Sequence, residues 1–181
     1  MDKPHQWKIV ESEDIADCRV FKIRKDVSQN LETKDTAEFF ISENPDWVNI
    51  IPVLETGEVV LIEQYRHGIQ DYTLEIPGGI IDKDEKPLEA AKRELIEETG
   101  VESGSIFEIG RSRPNPAIQN NWVYHFAAKN CKLTSNTKFD EHESIVTRLV
   151  SIDDVPKLIF EERITHSLVL AAFCNLILRQ T

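Results

Sequence analysis

The stretch Gly79–Val101 reads GIIDKDEKPLEAAKRELIEETGV, and it decides both the fold and the chemistry expected of this chain. Its glutamates Glu94, Glu97 and Glu98 are spaced at i, i+3 and i+4, so on a helix they share one face. Like charges at this spacing repel by roughly 0.2–0.5 kcal/mol per pair. We therefore expect a cation on that face, and a hard divalent ion with oxygen ligands is the natural candidate.

The same stretch predicts a helix that starts near Pro87 and ends at Gly100. Proline suits a first helical turn because its missing N–H would have no partner there, and glycine favours the left-handed conformation that ends a helix. The preceding Pro77-Gly78-Gly79 predicts a loop whose carbonyls can turn inward. The carboxylates should lie opposite an apolar stripe formed by Leu88, Ala91 and Leu95.

Apolar runs and alternating patterns predict strands through much of the remaining chain. The expected strands are Trp7–Val10, Cys18–Arg24, Thr36–Ile41, Trp47–Leu54, Glu58–Tyr65, Thr73–Ile76, Ser105–Gly110, Asn121–Ala128 and Ile145–Leu149. Glu55-Thr56-Gly57 predicts a hairpin turn. Ser151 is expected to cap a short helix with Asp154 at its third position, and Thr165 to cap a buried helix His166–Arg179.

Composition limits the class of protein. The chain has 181 residues, 40% of them hydrophobic, and a net charge of −11. That length suits one domain with a small appendage. The acidic balance argues against a nucleic-acid partner, and the absence of long apolar runs argues against a membrane partner or signal peptide. The scattered Cys18, Cys131 and Cys174 indicate free thiols and a cytoplasmic location.

The spacing within Gly79–Val101 resembles the Nudix box, G-x5-E-x7-R-E-U-x-E-E-x-G-U, where U is a bulky aliphatic residue. Every box position is matched, by Gly79, Glu85, Arg93, Glu94, Leu95, Glu97, Glu98, Gly100 and Val101. The resemblance implies an α/β fold, the Nudix α/β/α sandwich with a mixed sheet. It also implies hydrolysis of nucleoside diphosphates linked to another group, with Mg²⁺ or Mn²⁺. A solvated acidic helix face is the alternative interpretation.

The resemblance also implies roles for the box residues. The implied metal ligands are Glu94, Glu98 and the main-chain carbonyl of Gly78. Glu97 would contribute to the same acidic cluster. Arg93 would hold the glutamates in place by charge-assisted hydrogen bonds, and Glu85 would orient Arg93.

Features outside the box resemble the ADP-ribose and nucleoside-diphosphate-sugar branch of the family. Arg66 would bind substrate phosphate with its planar guanidinium, unless it is an ordinary surface arginine. Glu75 would either orient the metal site or pair with Arg93 or Arg66. Pro116 would mark the ADP-ribose type of substrate site, although Pro114-Asn115-Pro116-Ala117 departs from the Gly-rich loop of well-known members.

The acidic segment Phe139–Ile145 resembles a loop that follows the core in this branch. Carry-over by position favours Glu141 as general base and Glu143 as a metal or water contact. Because metals already lower the pKa of a bound water, a nearby carboxylate suffices as base. A solvated acidic loop is the alternative.

Residues 1–43 are expected to form an additional antiparallel sheet, and residues 44–181 the Nudix hydrolase domain. In the branch such a sheet belongs to a dimer interface and helps build the partner's substrate pocket, so the resemblance implies a homodimer. The alternative is a sheet extension of a monomer. The implied reaction is Mg²⁺-dependent hydrolysis of ADP-ribose and related nucleotide sugars. A dinucleotide or coenzyme pyrophosphatase and a non-catalytic ADP-ribose sensor stay open as alternatives.

Overall fold

The structure is a computed structural model that describes residues 4–134 and 144–180. Its strands are β1 (Trp7–Asp17), β2 (Lys22–Asn30), β3 (Thr36–Glu43), β4 (Trp47–Leu54), β5 (Glu58–Arg66), β6 (Asp71–Glu75), β7 (Gly78–Ile80), β8 (Val101–Glu102), β9 (Ser105–Ser112), β10 (Val123–Leu133) and β11 (Ile145–Ser151). Its helices are α1 (Pro87–Thr99), α2 (Val155–Phe160) and α3 (Ser167–Gln180), and a 3₁₀ turn, Ile152–Asp154, precedes α2. The chain forms two compact units.

The first unit consists of the chain up to Pro45 together with the loop Arg113–Asn121. It contains an antiparallel sheet in the order β1-β2-β3. The loop joins the sheet through Ser42, whose N–H donates to the Ile118 carbonyl at 2.7 Å. This confirms an antiparallel sheet near the N-terminus, and it adds a distant loop that the sequence did not connect to it.

The strand predicted over Cys18–Arg24 is wrong in its position. The Cys18 N–H donates to the Phe21 carbonyl at 2.9 Å and closes a turn, so β2 begins only at Lys22. Arg19 lies within this turn in the left-handed region, with φ 69°. A single turn of this kind decides the register of the two strands it connects, and no apolar period signals it.

The second unit consists of Asp46–Ser112 and the chain from Trp122 onward. Its sheet has the order β11-β5-β4-β10-β8, with β6 paired to β5, β7 to β4 and β9 to β10. Strands β4 and β10 are parallel and the other pairs are antiparallel. Helix α1 packs on one face, and α2 and α3 pack on the other. The predicted α/β/α sandwich with a mixed sheet is confirmed.

Side-chain alternation along β5 decides which residues face α1. Val60 belongs to the core under α1, whereas its neighbour Leu61 belongs to the core under α2 and α3. Arg66 is six residues after Val60, so it projects from the α1 face. On β6, Glu75 pairs with Ile62 and therefore shares that face. The sheet thus presents Arg66 and Glu75 on the side covered by α1.

The apolar stripe of α1 differs from the prediction. Leu88 is 37% exposed, and Ala90 is buried. The buried residues of α1 are Ala90, Ala91, Leu95, Glu98 and Thr99. The expectation that the carboxylates lie opposite the stripe is wrong for Glu98, because residues seven apart, such as Ala91 and Glu98, return to the same side of a helix.

Two further boundaries correct the sequence interpretation. The predicted glycine loop is in part a strand, since Gly78–Ile80 pairs with β4. The last helix is capped by His166 and not by Thr165, because the His166 Nδ1 accepts a hydrogen bond from the Leu168 N–H at 3.3 Å. Ser151 does cap the 3₁₀ turn before α2 as predicted. In the described part of the chain, no helix has the length and apolar character needed to cross a bilayer.

Candidate active site

Helix α1 has the predicted start and end. Lys86 is extended, with φ −86° and ψ 146°, and Pro87 occupies the first helical position. Gly100 has φ 62°, and its N–H donates to the Ile96 carbonyl at 2.8 Å. A left-handed residue at this position favours glycine because a Cβ there would be strained. These two ends fix which turn of the helix lies against β7.

Arg93 connects three glutamates of the box. Its guanidinium donates to Glu85 at 3.1 and 3.0 Å. It also donates to Glu94 at 2.7 Å and to Glu97 at 3.2 Å. A further bond at 3.0 Å reaches the Ile80 carbonyl of β7. Arg93 therefore attaches α1 to β7 and holds the carboxylates in a fixed arrangement.

The charges of this cluster reinforce one another. The hydrogen bonds to Glu85, followed by those to Glu94 and Glu97, raise the pKa of Arg93 although burial opposes them. Conversely, the Arg93 guanidinium lowers the pKa of Glu85. Three carboxylates surround one guanidinium, so the group carries a charge of 3 × (−1) + 1 = −2 when ionised. The excess negative charge suits a cationic ligand.

Glu98 is the most deeply buried glutamate of the box, with only 3% of its surface exposed. Its Oε2 accepts a hydrogen bond from the Gly78 N–H at 2.8 Å. The register explains why this N–H is available. Because the Ile50 N–H donates to the Pro77 carbonyl, the next pair, Asn49 opposite Gly78, is a non-hydrogen-bonded pair. Both the N–H and the C=O of Gly78 therefore point away from β4, toward the side where Glu98 lies.

Two successive glycines lie in close contact with their neighbours, Gly78 with the main chain of β4 and Gly79 with the Glu94 carboxylate. A Cβ on Gly79 would overlap the Glu94 carboxylate, whose Oε2 would be 3.0 Å away and whose Oε1 would be closer still. A Cβ on Gly78 would overlap the Val48 carbonyl and would lie 2.9 Å from the Cβ of Asn49. Gly78 is therefore needed so that β7 can lie against β4, whereas a side chain on Gly79 would displace the Glu94 carboxylate from the position in which Arg93 holds it.

The ligand set fits a hard divalent ion. Glu94, Glu98 and the Gly78 carbonyl offer only oxygen atoms. Among residues 4–134 and 144–180, no three His, Cys, Asp or Glu side chains converge on one metal position. Mg²⁺ is commonly bound by one or two carboxylates, with water and substrate phosphate completing its shell. Two carboxylates beside one main-chain oxygen match that pattern.

Arg66 and Glu75 form a second charged group on the α1 face of the sheet. The guanidinium Nε and Nη2 donate to the two oxygens of Glu75, each at 2.7 Å. The Thr73 hydroxyl also donates to Glu75. Of the alternatives that the sequence left open for Glu75, the structure shows the pair with Arg66. Thr73 was not singled out from the sequence, because a threonine two residues before a glutamate is common in strands.

Glu75 stays ionised despite its position. Burial alone would raise the pKa of this carboxyl. The hydrogen bonds and the charge of Arg66, together with the Thr73 hydroxyl, hold the pKa below its ordinary value. A buried carboxylate with a two-pronged arginine partner fixes the plane of the guanidinium. Glu75 therefore sets the direction in which Arg66 can meet a ligand.

The remaining predicted site residues are placed differently. Pro116 lies in the loop Arg113–Asn121, which belongs to the first unit, whereas Arg66, Glu75 and the α1 glutamates belong to the second. The Asn115 carbonyl accepts hydrogen bonds from two N–H groups of this loop, at Ile118 and Gln119. Glu141 and Glu143 lie outside the described residues.

The chain is similar to known proteins both in sequence and in structure. A family model described as the NUDIX domain matches residues 44–173. The chain is 29% identical over 168 residues to a methanol dehydrogenase activator from Bacillus methanolicus, covering 92% of this chain and 90% of that protein. It is 29% identical over 120 residues to an ADP-ribose pyrophosphatase from Bacillus subtilis (strain 168), covering 66% of this chain and 65% of that protein. A solved structure of an ADP compounds hydrolase superposes with a TM-score of 0.85 at 21% identity, covering 97% of this chain and 95% of that one.

Since the family model spans more than half of the chain, the chain belongs to the Nudix family. The glutamates and the arginine gathered on α1 are the residues of its box. The family predicted from Gly79–Val101 is thereby confirmed, and with it the class of enzyme, a Nudix hydrolase. Members of the family generally use a divalent metal. The solved structure, at 21% identity, adds support for the fold.

Proposed function

We propose that this chain is a Mg²⁺-dependent pyrophosphohydrolase of nucleoside diphosphate sugars, ADP-ribose among them. The main support is the position of two glutamates of α1 beside β7. The buried Glu98 carboxylate accepts a hydrogen bond from the Gly78 N–H, and the Glu94 carboxylate lies next to Gly79. Arg66, held by Glu75, projects from the face of the sheet that α1 covers. A relative named ADP-ribose pyrophosphatase supports the class of substrate.

The proposed metal ligands are Glu94, Glu98 and the Gly78 carbonyl, with Glu143 as a further metal or water contact. A divalent ion bound there would neutralise the diphosphate and lower the pKa of an attacking water. Mn²⁺ prefers the same oxygen ligands and is expected to replace Mg²⁺. Arg93 fixes the orientation of Glu94 through their ion pair. Glu97, which is more exposed than Glu94, adds negative charge to the same cluster.

The remaining residues bind the substrate and move the proton. Arg66 contacts a phosphate of the diphosphate, in the orientation that Glu75 fixes. Glu141 accepts a proton from the water as its oxygen forms a bond to one phosphorus. The bond from that phosphorus to the bridging oxygen breaks, and the bridging oxygen leaves with the other phosphate. The products are a nucleoside monophosphate and a sugar phosphate.

The first unit is proposed to serve dimerisation and the substrate pocket. In this proposal residues 1–43 form the dimerisation region, residues 44–181 the hydrolase domain, and Pro116 contacts the substrate. The support is the exposure of large apolar side chains on the sheet of the first unit, which a thin three-stranded sheet cannot bury by itself. These side chains include Trp7, Ile9, Val10, Phe39 and Phe40.

A cytoplasmic location completes the proposal. All three cysteines, Cys18, Cys131 and Cys174, are free thiols, which is the state expected in a reducing compartment.

Two other functions are alternatives to hydrolysis of nucleotide sugars, and the substrate panel described below distinguishes them. A dinucleotide or coenzyme pyrophosphatase would use the same box residues with a different pocket. An ADP-ribose sensor would bind without turnover, but the complete set of box carboxylates favours an enzyme.

The test is a panel of ADP-ribose, other nucleotide sugars, dinucleotides and coenzyme A, each with Mg²⁺ and scored for released monophosphate. We expect the highest kcat/KM for a nucleotide sugar and loss of turnover when EDTA removes the metal. Preference for a dinucleotide or a coenzyme would replace the proposed substrate class. Binding of ADP-ribose without turnover, with either Mg²⁺ or Mn²⁺, would identify a sensor.

A further inference from the structure

Thr73 is a buried threonine on β6 that lies on the same face of the sheet as Glu75. The two residues are two positions apart on one strand, so their side chains share a face. The intervening Leu74 belongs to the core under α2 and α3, on the opposite face. The Thr73 hydroxyl donates to the Oε1 of Glu75, the same oxygen that accepts from the Nε of Arg66. Glu75 therefore connects Thr73 to Arg66.

The ion pair of Arg66 and Glu75 leaves one direction of movement open. Two hydrogen bonds hold the guanidinium and the carboxylate in one plane. Rotation about the last bond of a glutamate side chain has only weak preferences, so the carboxylate and its arginine can turn together. The Arg66 side chain is 43% exposed, against 4% for Glu75, so packing restrains the arginine least. A third contact on the carboxylate, from a group with a fixed position, would stop this rotation.

The Thr73 hydroxyl has such a fixed position. A threonine side chain has a single torsion that positions its hydroxyl oxygen, and branching at Cβ restricts that torsion. Thr73 is 7% exposed, and its strand is held in register because Thr73 pairs with Gln64 of β5. The main chain of β6 thus places the hydroxyl. Its hydrogen bond to Oε1 therefore sets the rotation of the Glu75 carboxylate.

We propose that Thr73 is a positioning residue for the substrate, because it fixes the plane of the Glu75 carboxylate and thereby the direction of the Arg66 guanidinium. This inference rests on the proposed function insofar as Arg66 binds a phosphate of the substrate. Thr73 acts through Glu75 and does not itself contact the substrate. A site built on oriented side chains requires supporting groups that hold them in place. Loss of the hydroxyl should therefore weaken substrate binding and leave the chemical step nearly unchanged.

Two substitutions of Thr73 separate the hydroxyl from the rest of the side chain. Thr73→Val keeps the shape of the side chain and removes the donor. Thr73→Ser keeps the donor and removes the methyl group. Thr56→Val is the matched control, because the Thr56 hydroxyl also donates to a glutamate two residues later, Glu58, at 2.9 Å in the exposed turn between β4 and β5.

The primary measurement is the hydrolysis of ADP-ribose at saturating Mg²⁺. We expect Thr73→Val to raise KM by about fivefold, the effect of one hydrogen bond, and Thr73→Ser to stay within about twofold of the parent. For both variants kcat should change by less than about twofold, because the metal ligands are untouched. Thr56→Val should leave both constants at the parent values. Equal KM values for Thr73→Val and Thr73→Ser would overturn the proposal.

Combination with Arg66→Lys tests whether Thr73 acts through Arg66. Lysine cannot form the two parallel hydrogen bonds to Glu75, so in this background the carboxylate no longer directs a guanidinium. Thr73→Val should then raise KM by less than about twofold, because residues that act through one another are not additive. The full fivefold effect in the Arg66→Lys background would overturn the proposal, since Thr73 would then act on the substrate or on the fold independently.

A further variant covers the case in which Thr73→Val does not fold. Thr73→Cys then takes its place and is compared with Thr73→Ser, because the two side chains have similar shapes but the thiol is only a weak donor. Thr73→Cys should have a KM at least about twofold above that of Thr73→Ser, on the scale of a weakened hydrogen bond. Equal KM values in this pair would overturn the proposal.

Exchange of the Arg66 Nε proton with water, measured by NMR, separates this proposal from the proposed function. The signal is identified as the one that Arg66→Lys removes. We expect exchange to be faster in Thr73→Val than in Thr73→Ser, and equal rates would overturn the positioning role. If the parent protein hydrolyses no nucleotide sugar, the proposed function fails, but the order of these exchange rates still decides whether Thr73 orients Arg66.

Discussion

The Glu98 carboxylate accepts a hydrogen bond from the main-chain N–H of Gly78, twenty residues earlier in the chain, at 2.8 Å. This bond attaches the last turns of α1 to β7 and gives a buried carboxylate one of the partners it requires. In a non-hydrogen-bonded strand pair the N–H and the C=O of one residue point the same way. The same geometry therefore brings a main-chain oxygen to the Glu98 side of β7.

Replacement of Glu98 should abolish most of the activity and leave the fold intact. Glu98→Gln keeps an oxygen that can accept from the Gly78 N–H but removes a charged metal ligand. We expect kcat on ADP-ribose to fall by about 10²- to 10³-fold with little change in Tm. Glu89→Gln, on the same helix and paired with Lys92 at the surface, is the matched control. Near-normal turnover of Glu98→Gln would remove Glu98 from the metal site.

The acidic segment should separate into a base and a metal contact. Glu141→Gln should depress kcat while the Mg²⁺ concentration for half-maximal activity stays nearly unchanged, because a base acts on the water and not on the metal. Glu143→Gln should shift the Mg²⁺ dependence more strongly. Each variant serves as the control for the other in a Mg²⁺ titration of the hydrolysis rate. If neither slows the reaction by more than a few-fold, the base is another residue.

Arg66 should act through the geometry of its guanidinium. Arg66→Lys keeps the positive charge but cannot satisfy both oxygens of Glu75, so the charge is no longer oriented toward the substrate. We expect KM for ADP-ribose to rise by about tenfold, with a smaller change in kcat. Arg148→Lys is the matched control, because Arg148 pairs with Glu63 on the opposite face of the same sheet. Equal effects of the two substitutions would argue against phosphate binding by Arg66.

Acid should destabilise the second unit through His125. Burial lowers the pKa of this histidine from 6.5 to about 4. The unfolded chain therefore binds a proton at a higher pH than the folded chain does, and stability falls as the pH drops from about 6.5 toward about 4. Between pH 7 and pH 5 the contribution of this group to the free energy of unfolding should fall by roughly 2 kcal/mol.

Urea unfolding at the two pH values measures this loss, and His125→Asn isolates the contribution because it cannot titrate. The parent protein should lose more stability on acidification than the variant does. Parallel losses in the two proteins would mean that the folded state accommodates a protonated ring, contrary to its full burial.

The sheet of the first unit should mediate a homodimer whose pocket uses both chains. Phe40 is 55% exposed on β3, and Phe40→Asp should shift light-scattering mass toward the monomer at micromolar concentration, because a charge replaces apolar contact area. Phe160→Asp, at a phenylalanine that is 88% exposed on α2, is the control for the substitution itself. A parent protein that is a monomer and still hydrolyses ADP-ribose at full rate would refute both the dimer and the shared pocket.

The sequence by itself determined the elements whose signals are local. The box spacing located α1 and the residues that carry its charge, because Pro87 and Gly100 delimit a helix and the intervening period is fixed by helical geometry. The continuous apolar run Trp47–Leu54 gave a strand with the same bounds as β4. Both predictions depend on signals from residues close together in the chain, and the tertiary contacts of α1 and β4 agree with those signals.

Only the tertiary structure decided which partners those elements meet. Glu98 is buried because β7 forms from residues that looked like a loop, and that strand exists because β4 offers it an edge. Glu75 could have paired with Arg93 or Arg66, and the strand pairing of β5 with β6 brings it to Arg66. His125 gave no signal in the sequence, since a lone histidine in an apolar strand acquires its role only from residues 13 and 76 positions away. Contacts across such separations depend on strand register, because a shift of one residue moves every side chain of a strand to the opposite face of the sheet.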